Sequence, residues 1–136
     1  MMLTPDEAYV LVIEDDPNSL IVATDFLGML GVKYIYSRAS GWQGLKLAES
    51  LPQLDLILLD IQLPHEDGYA ILQRIRDSPK LRDTRVVAVT ANVLPQDAAR
   101  ARAAGFDGFI GKPLDFDRFP HQIRAILRGE LIWMPS

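Results

Sequence analysis

Polar residues stand directly after four apolar runs of this 136-residue chain, and their types could bind a metal ion beside an anion. These residues are Glu14, Asp15, Asp16, Asp60, Thr90 and Lys112. Carboxylates that converge on a small site repel one another, so they either keep protons at neutral pH or bind a cation. Two or three of them form the all-oxygen site that Mg²⁺ prefers. A lysine and a hydroxyl donor beside them complete a predicted cradle for an anion around Asp60.

Apolar runs alternate with helical patterns between residues 8 and 128, which predicts an α/β fold. Because the runs are apolar on nearly every residue, we expect strands buried on both faces of a parallel sheet. The predicted strands are Tyr9–Ile13, Val32–Tyr36, Leu54–Leu59, Val86–Val89, and Phe109 with Ile110. The predicted helices are Pro17–Leu30, Ser40–Ser50, Gly68–Asp77, Pro95–Ala104 and Phe116–Leu127. Right-handed crossovers then bring the carboxyl ends of all five strands, with their polar residues, to one edge.

The composition excludes several kinds of chemistry and of partner. Without cysteine the chain has no thiolate site, and its two histidines, His65 and His121, are too few for a multi-histidine zinc site. A net charge of −4 and a pI near 5.0 argue against direct binding of nucleic acid. No apolar run approaches the roughly 18–20 residues of a membrane span, and acids stand near Met1 where a signal peptide has bases. We therefore expect a soluble, cytoplasmic protein with no membrane partner.

Other residues whose side chains could bind or react are assigned structural roles. Asp16 directly precedes Pro17, so we assign it to the N-cap of the first helix rather than to the metal site. His65 is expected to be a solvated loop residue, and Trp42 and Trp133 to be packing groups. The arginines form no stripe with aromatic residues, and we expect them to be solvated; they are Arg74, Arg76, Arg82, Arg85, Arg100 and Arg102.

Four stretches carry a resemblance to a known family over residues 8 to 128. They are Val10–Pro17, Asp55–Pro64 with Asp67 and Gly68, Val87–Ala91, and Gly105–Pro113. In this order and spacing they resemble the receiver domain of two-component response regulators. The resemblance implies a flavodoxin-like (βα)5 fold, in which helices cover both faces of a doubly wound, five-stranded parallel sheet of order 2-1-3-4-5. It also implies a receiver domain over residues 1–128, followed by a short tail, 129–136, and no effector domain.

The resemblance implies a role for each residue of the predicted site. Asp60 corresponds to the carboxylate that accepts a phosphoryl group, and Glu14 and Asp15 to the acidic pair. Asp15 is then a direct Mg²⁺ ligand, Glu14 acts through a water molecule, and the backbone carbonyl of Gln62 completes the protein ligands. Lys112 is expected to hold one phosphoryl oxygen, and the family pattern favours a cis bond between this lysine and Pro113.

The resemblance also implies how the phosphoryl group becomes a signal. Thr90 is expected to bond a phosphoryl oxygen and to move inward, and this movement couples to Phe109. Since Phe109 has no hydroxyl, the switch depends on burial of its ring. The alternative is that Phe109 is an ordinary core residue with no part in the switch. We expect the surface formed by the fourth helix, the fifth strand and the fifth helix to change. Gln62 and Asn92 flank the approach of water and are predicted to affect the lifetime of the phosphoryl group, in either direction.

The implied function is phosphorelay signalling. The phosphoryl donor is a histidine kinase or a histidine phosphotransfer protein, and the output is a downstream protein target. The domain is not an enzyme beyond its own phosphorylation and dephosphorylation. A phosphatase of the haloacid dehalogenase type is disfavoured because Gln62, an amide, stands where those enzymes have an acid. A binding module of the same fold that is never phosphorylated remains a second alternative, and the apolar tail either folds back on the domain or docks on another subunit.

Overall fold

A computed structural model describes residues 2–91 and 93–134, which form a parallel sheet between two layers of helices. The strands are β1 (Tyr9–Ile13), β2 (Tyr34–Arg38), β3 (Leu56–Asp60), β4 (Arg85–Thr90), β5 (Gly108–Gly111) and β6 (Ile132–Met134). The α-helices are α1 (Pro17–Leu30), α2 (Gly41–Ser50), α3 (Gly68–Asp77), α4 (Pro95–Ala104) and α5 (Phe119–Leu127). The strand order is β2-β1-β3-β4-β5-β6, and each neighbouring pair is parallel. The α/β class and the five predicted helices are therefore confirmed.

Alternate residues of the strands supply two apolar cores, one on each face of the sheet. Leu11 and Ile57 belong to the core that includes residues of α2, α3 and α4. Val10 and Leu58 belong to the core that includes residues of α1 and α5. Because successive strand residues point to opposite faces, these continuous apolar runs bury both sides of the sheet. The carboxyl ends of the strands are left at one edge, where polar residues begin.

The predicted number of strands is wrong by one, because the apolar tail adds β6 beside β5. Gly108 pairs with Ile132, and Phe109 pairs with Trp133. Three residues are too few to carry a strand pattern, so the sequence indicated only an apolar tail. The order 2-1-3-4-5 of the first five strands is retained within the larger sheet.

Several predicted boundaries shift by one to three residues, and at the starts of β2 and α5 local hydrogen bonds give the reason. β2 begins at Tyr34 rather than Val32, since the Val32 N–H donates to the Leu27 carbonyl (3.0 Å) in the turn that ends α1. Gly31 allows this turn with its φ of 108°. α5 begins three residues late, because the preceding N–H groups of Asp117 and Arg118 donate to the Asp115 side chain.

None of the helices in the described part of the chain combines the length and the apolar character that a membrane span requires. The longest helix, α1, has 14 residues. A helix that crosses the hydrocarbon core of a bilayer needs about 20 residues.

Candidate functional site

Three carboxylates converge where β1 and β3 end side by side. Ile13 pairs with Leu59, so the residues that come next along the chain are neighbours: Glu14 and Asp15 after β1, and Asp60 as the last residue of β3. One carboxylate oxygen from each of the three lies within 4.8 Å of the other two. Glu14 and Asp60 are each only 4% exposed, whereas Asp15 faces solvent. This set of hard oxygen donors, open on one side, fits a Mg²⁺ ion.

Lys112 enters the same site from β5 and contacts both buried acids. Its ammonium lies 3.0 Å from Asp60 Oδ2 and forms a second ion pair with Glu14. The backbone N–H of Lys112 donates to the Thr90 carbonyl (2.8 Å), which ties the end of β5 to the end of β4. The bond between Lys112 and Pro113 is cis, as the family pattern indicates. One ammonium cannot neutralise three carboxylates, so the site can accept further positive charge.

The pKa values of Glu14 and Lys112 are both shifted in this shared site. Burial raises the pKa of Glu14 to about 7, and the hydrogen bond from Lys112 offsets only part of that effect. Burial alone would lower the pKa of Lys112, but its hydrogen bonds to Glu14 and Asp60 and the attraction of both acids raise it. The lysine therefore stays charged, and it is the positive group that an incoming anion meets.

Asp60 is held by the start of the loop that follows β3. The Gln62 N–H donates to Asp60 Oδ1 at 2.8 Å. The side-chain carbonyl of Gln62 in turn accepts from the Ala91 N–H (3.1 Å), in the loop after β4. Gln62 thus links the Asp60 loop to the Thr90 loop, and sequence analysis missed this role because an exposed glutamine carries no pattern. Asn92 lies outside the described residues.

A cavity of about 180 Å³ gives access to Asp60. Its walls include Val22 of α1, Leu58 of β3 and Leu114, and both Asp60 and Lys112 line it. A small group that enters this cavity reaches the carboxylate, although little of Asp60 is exposed to solvent.

Thr90 and Phe109 are fully buried on neighbouring strands, Thr90 as the last residue of β4 and Phe109 as the second residue of β5. Thr90 ends β4 next to the pair formed by Asp60 and Val89. Phe109 pairs with Ala88 on one side and Trp133 on the other, and its ring belongs to the core beneath α4. Of the two residues predicted to switch, Thr90 therefore stands at the sheet edge that holds the acids, and Phe109 lies deeper, in the core.

Several expectations for individual residues are settled by the structure. Asp16 caps α1, because its carboxylate accepts from the Ser19 N–H at 2.9 Å. His65 is exposed in its loop, as predicted. Trp133 packs against the core, but Trp42 is 62% exposed and is not a packing group.

Arg74, Arg100 and Arg102 are exposed, as expected, whereas Arg76 is half-buried, and all four make specific contacts. Three guanidinium groups lie over aromatic rings, which makes them cation–π partners, and Arg76 makes several hydrogen bonds. The ring pairs are Arg74 over Trp42 (4.4 Å), Arg100 over Tyr69 (4.1 Å) and Arg102 over Trp133 (5.6 Å). The sequence concealed these contacts because each joins separate elements.

A doubly wound sheet with three acids and a lysine at its carboxyl edge defines the class of receiver domains. The chain belongs to the response regulator receiver domain family, whose model matches residues 10–124. Receiver domains are signalling domains of two-component systems, which interact with kinases or phosphotransfer proteins and with downstream targets.

Individual relatives support this assignment. The polar-differentiation response regulator DivK of Brucella ovis is 36% identical over 119 residues, which cover 87% of this chain and 94% of DivK. The receiver domain of the sensor histidine kinase PA1611 of Pseudomonas aeruginosa, solved with a magnesium ion coordinated in its active site cleft, is 30% identical. Its TM-score is 0.78, with 90% of this chain and 98% of that domain covered. The chemotaxis response regulator CheY4 of Vibrio cholerae, at 20% identity and a TM-score of 0.80, covers 88% of this chain and 98% of its own and shares the fold.

Proposed function

We propose that this receiver accepts a phosphoryl group on Asp60 from the phosphohistidine of a histidine kinase or a histidine phosphotransfer protein. The observation that carries the proposal is the meeting of Glu14, Asp15 and Lys112 around one buried aspartate that lines an accessible cavity. The domain catalyses only its own phosphorylation and dephosphorylation, and it signals to a downstream protein through a changed surface.

Asp60 supplies the nucleophile for the transfer. One carboxylate oxygen attacks the phosphorus, a P–O bond forms, and the P–N bond to the donor imidazole breaks with its electron pair left on the ring nitrogen. Lys112, held between Glu14 and Asp60, is positioned to hold a phosphoryl oxygen and to offset its negative charge. The hydroxyl of Thr90 bonds another oxygen once the product has formed.

The acids that surround Asp60 are suited to hold Mg²⁺ for this step. Asp15, Asp60 and the backbone carbonyl of Gln62 would bind the ion directly, and Glu14 through a water molecule. A bound Mg²⁺ supplies charge compensation for the transferring phosphoryl group and for the carboxylate that receives it. The oxygen-only character of the cluster and the excess of acids over lysine support this assignment.

Incubation with acetyl phosphate tests the proposed function directly. With Mg²⁺ we expect the intact mass to rise by one phosphoryl group, and peptide mapping to locate the adduct at Asp60. With EDTA in place of Mg²⁺ we expect no adduct, because the acids that surround Asp60 then repel the anionic donor. An adduct that forms equally well in EDTA, or that maps to another residue, would contradict the proposal.

Replacing Gln62 by methionine is expected to loosen the loop after β4. The substitution keeps the length of the side chain but removes the carbonyl that accepts from the Ala91 N–H. One hydrogen bond contributes a net free energy of about 0.5–1.5 kcal/mol, so amide exchange at Ala91 should become about two- to tenfold faster. NMR-detected hydrogen exchange measures this change.

The matched control is Gln73→Met, on the exposed surface of α3, where the side-chain amide bonds only Asp77 among the described residues. We expect no change at Ala91 in that variant. Equal exchange at Ala91 in wild type and Gln62→Met would show that the link between the two loops contributes nothing in solution.

A further inference from the structure

The strand β6 covers the edge of β5 between α4 and α5. It pairs in parallel with β5 through Gly108 and Phe109, and it contacts both helices. The surface formed by α4, β5 and α5 is the one that the sequence predicts to change on phosphorylation. The chain therefore places its own tail across its proposed output surface.

The side chains of β6 fit this position on both faces of the sheet. Trp133 is partly buried and packs against the core beneath α4, and the Arg102 guanidinium lies 5.6 Å from the centre of its ring. Ile132 is partly buried on the opposite face, where it packs against the core that includes residues of α5. Gly108 allows the close approach of the two strands, because a Cβ at this position would lie 3.0 Å from the Ile132 carbonyl oxygen. β6 therefore packs closely in a groove along β5.

Trp133 of β6 lies on the same face of the sheet as Thr90 of the proposed phosphoryl site. Thr90 stands two residues after Ala88 on β4, so both side chains point to the same face. Ala88 pairs with Phe109, which in turn pairs with Trp133. Phe109 belongs to the same core cluster as Ala88, and the partly buried Trp133 packs against that cluster. A displacement of Thr90 towards Asp60 would therefore act on this face of the sheet, where Ala88, Phe109 and Trp133 follow one another across three strands.

The attachment of β6 is weak enough to be reversed. The strand has three residues and forms one edge of the sheet. The Trp133 Nε1–H is buried, and no group in the described part of the chain accepts a hydrogen bond from it. A buried donor without an acceptor lowers the stability of the state that buries it. Short edge segments with few backbone partners are also the first to open locally.

We propose that β6 is a displaceable strand that covers the output surface until Asp60 is phosphorylated, an inference that rests on the proposed function. Phosphorylation releases Trp133 and frees the backbone groups along the edge of β5. The freed groove then accepts an extended segment of the downstream protein, with a large apolar side chain in the place of Trp133. The tail and the target compete for one site.

Trp133 itself can report the release. Trp42→Phe leaves Trp133 as the sole tryptophan of the full chain, since the sequence has two. Beryllofluoride, a mimic of the phosphoryl group, is added with Mg²⁺, and quenching of Trp133 fluorescence by acrylamide is measured before and after. We expect the quenching constant to rise at least about twofold, because the partly buried indole becomes fully accessible.

Linkage gives a reciprocal test in the full chain. If beryllofluoride weakens the docking of β6, then Trp133→Ala, which weakens that docking, must strengthen beryllofluoride binding by up to the same factor. We expect a gain of about fivefold or more, measured by ¹⁹F NMR titration. Arg102→Ala, on the exposed face of α4, should give a smaller gain in the same direction and disturbs no buried residue. Arg100→Ala is the matched control: this exposed guanidinium lies over Tyr69, so beryllofluoride binding should not change.

The outcomes separate this inference from the proposed function. Beryllofluoride binding with unchanged Trp133 quenching, or with equal affinity in wild type, Trp133→Ala and Arg102→Ala, would make β6 a permanent strand and leave the function of Asp60 intact. A chain that binds no beryllofluoride and forms no adduct with acetyl phosphate would overturn both.

Discussion

Asp60→Asn is expected to abolish the phosphoryl adduct. The amide that replaces the carboxylate is neutral and a poor nucleophile, and it removes one of the three acids that would hold Mg²⁺. Loss of a nucleophile typically costs several orders of magnitude in rate, so adduct formation should fall by at least about 10³-fold. Intact mass after incubation with acetyl phosphate and Mg²⁺ measures the result.

Asp16→Asn is the matched control for this substitution. It makes the same chemical change at the same edge of the sheet, where the Asp16 carboxylate caps α1 through the Ser19 N–H. Asparagine caps helices about as well as aspartate, so the fold is preserved. We expect this variant to form the adduct at close to the wild-type rate. An Asp60→Asn chain that still gains a phosphoryl group would remove Asp60 from the mechanism.

Arg76→Ala is expected to lower the free energy of unfolding by about 2 kcal/mol. The side chain of Arg76 extends from α3 and contacts the chain segments that precede β4 and β5. Its guanidinium donates to the carbonyls of Arg82, Thr84 and Gly105 and to the carboxylate of Asp107. Hydrogen bonds that involve a charged group each contribute about 1.5–3 kcal/mol. We expect less than their sum, because the side chains of Arg76 and Asp107 are 23% and 31% exposed and water can replace some of the bonds.

Urea denaturation followed by circular dichroism measures this effect, and a thermal scan should show the midpoint falling by roughly 6–8 °C. Arg74→Ala is the control, since this arginine lies on the same helix but contacts only the exposed ring of Trp42 among the described aromatic groups. It should lose less than about 1 kcal/mol of unfolding free energy. Equal losses in the two variants would mean that the Arg76 network contributes no more than one surface contact.

The sequence by itself determined the fold class, the helices and the place of the polar residues. An apolar run must bury itself, and a polar residue that ends the run must leave the core, so both signals are local. Tyr9–Ile13 was predicted with its observed bounds, and Asp16 with its observed role as a cap. The family resemblance added the strand order, which no local pattern carries.

Only the tertiary structure decided what joins distant segments. The contact between Lys112 and Asp60 spans 52 residues and exists because β3, β4 and β5 lie side by side. The Arg76 network and the link between Gln62 and Ala91 likewise join elements whose sequences carry no sign of each other. β6 is a strand only because β5 offers a free edge and a glycine that lets the backbone approach. A three-residue apolar segment has no periodicity of its own, so its structure is set by the surface against which it packs.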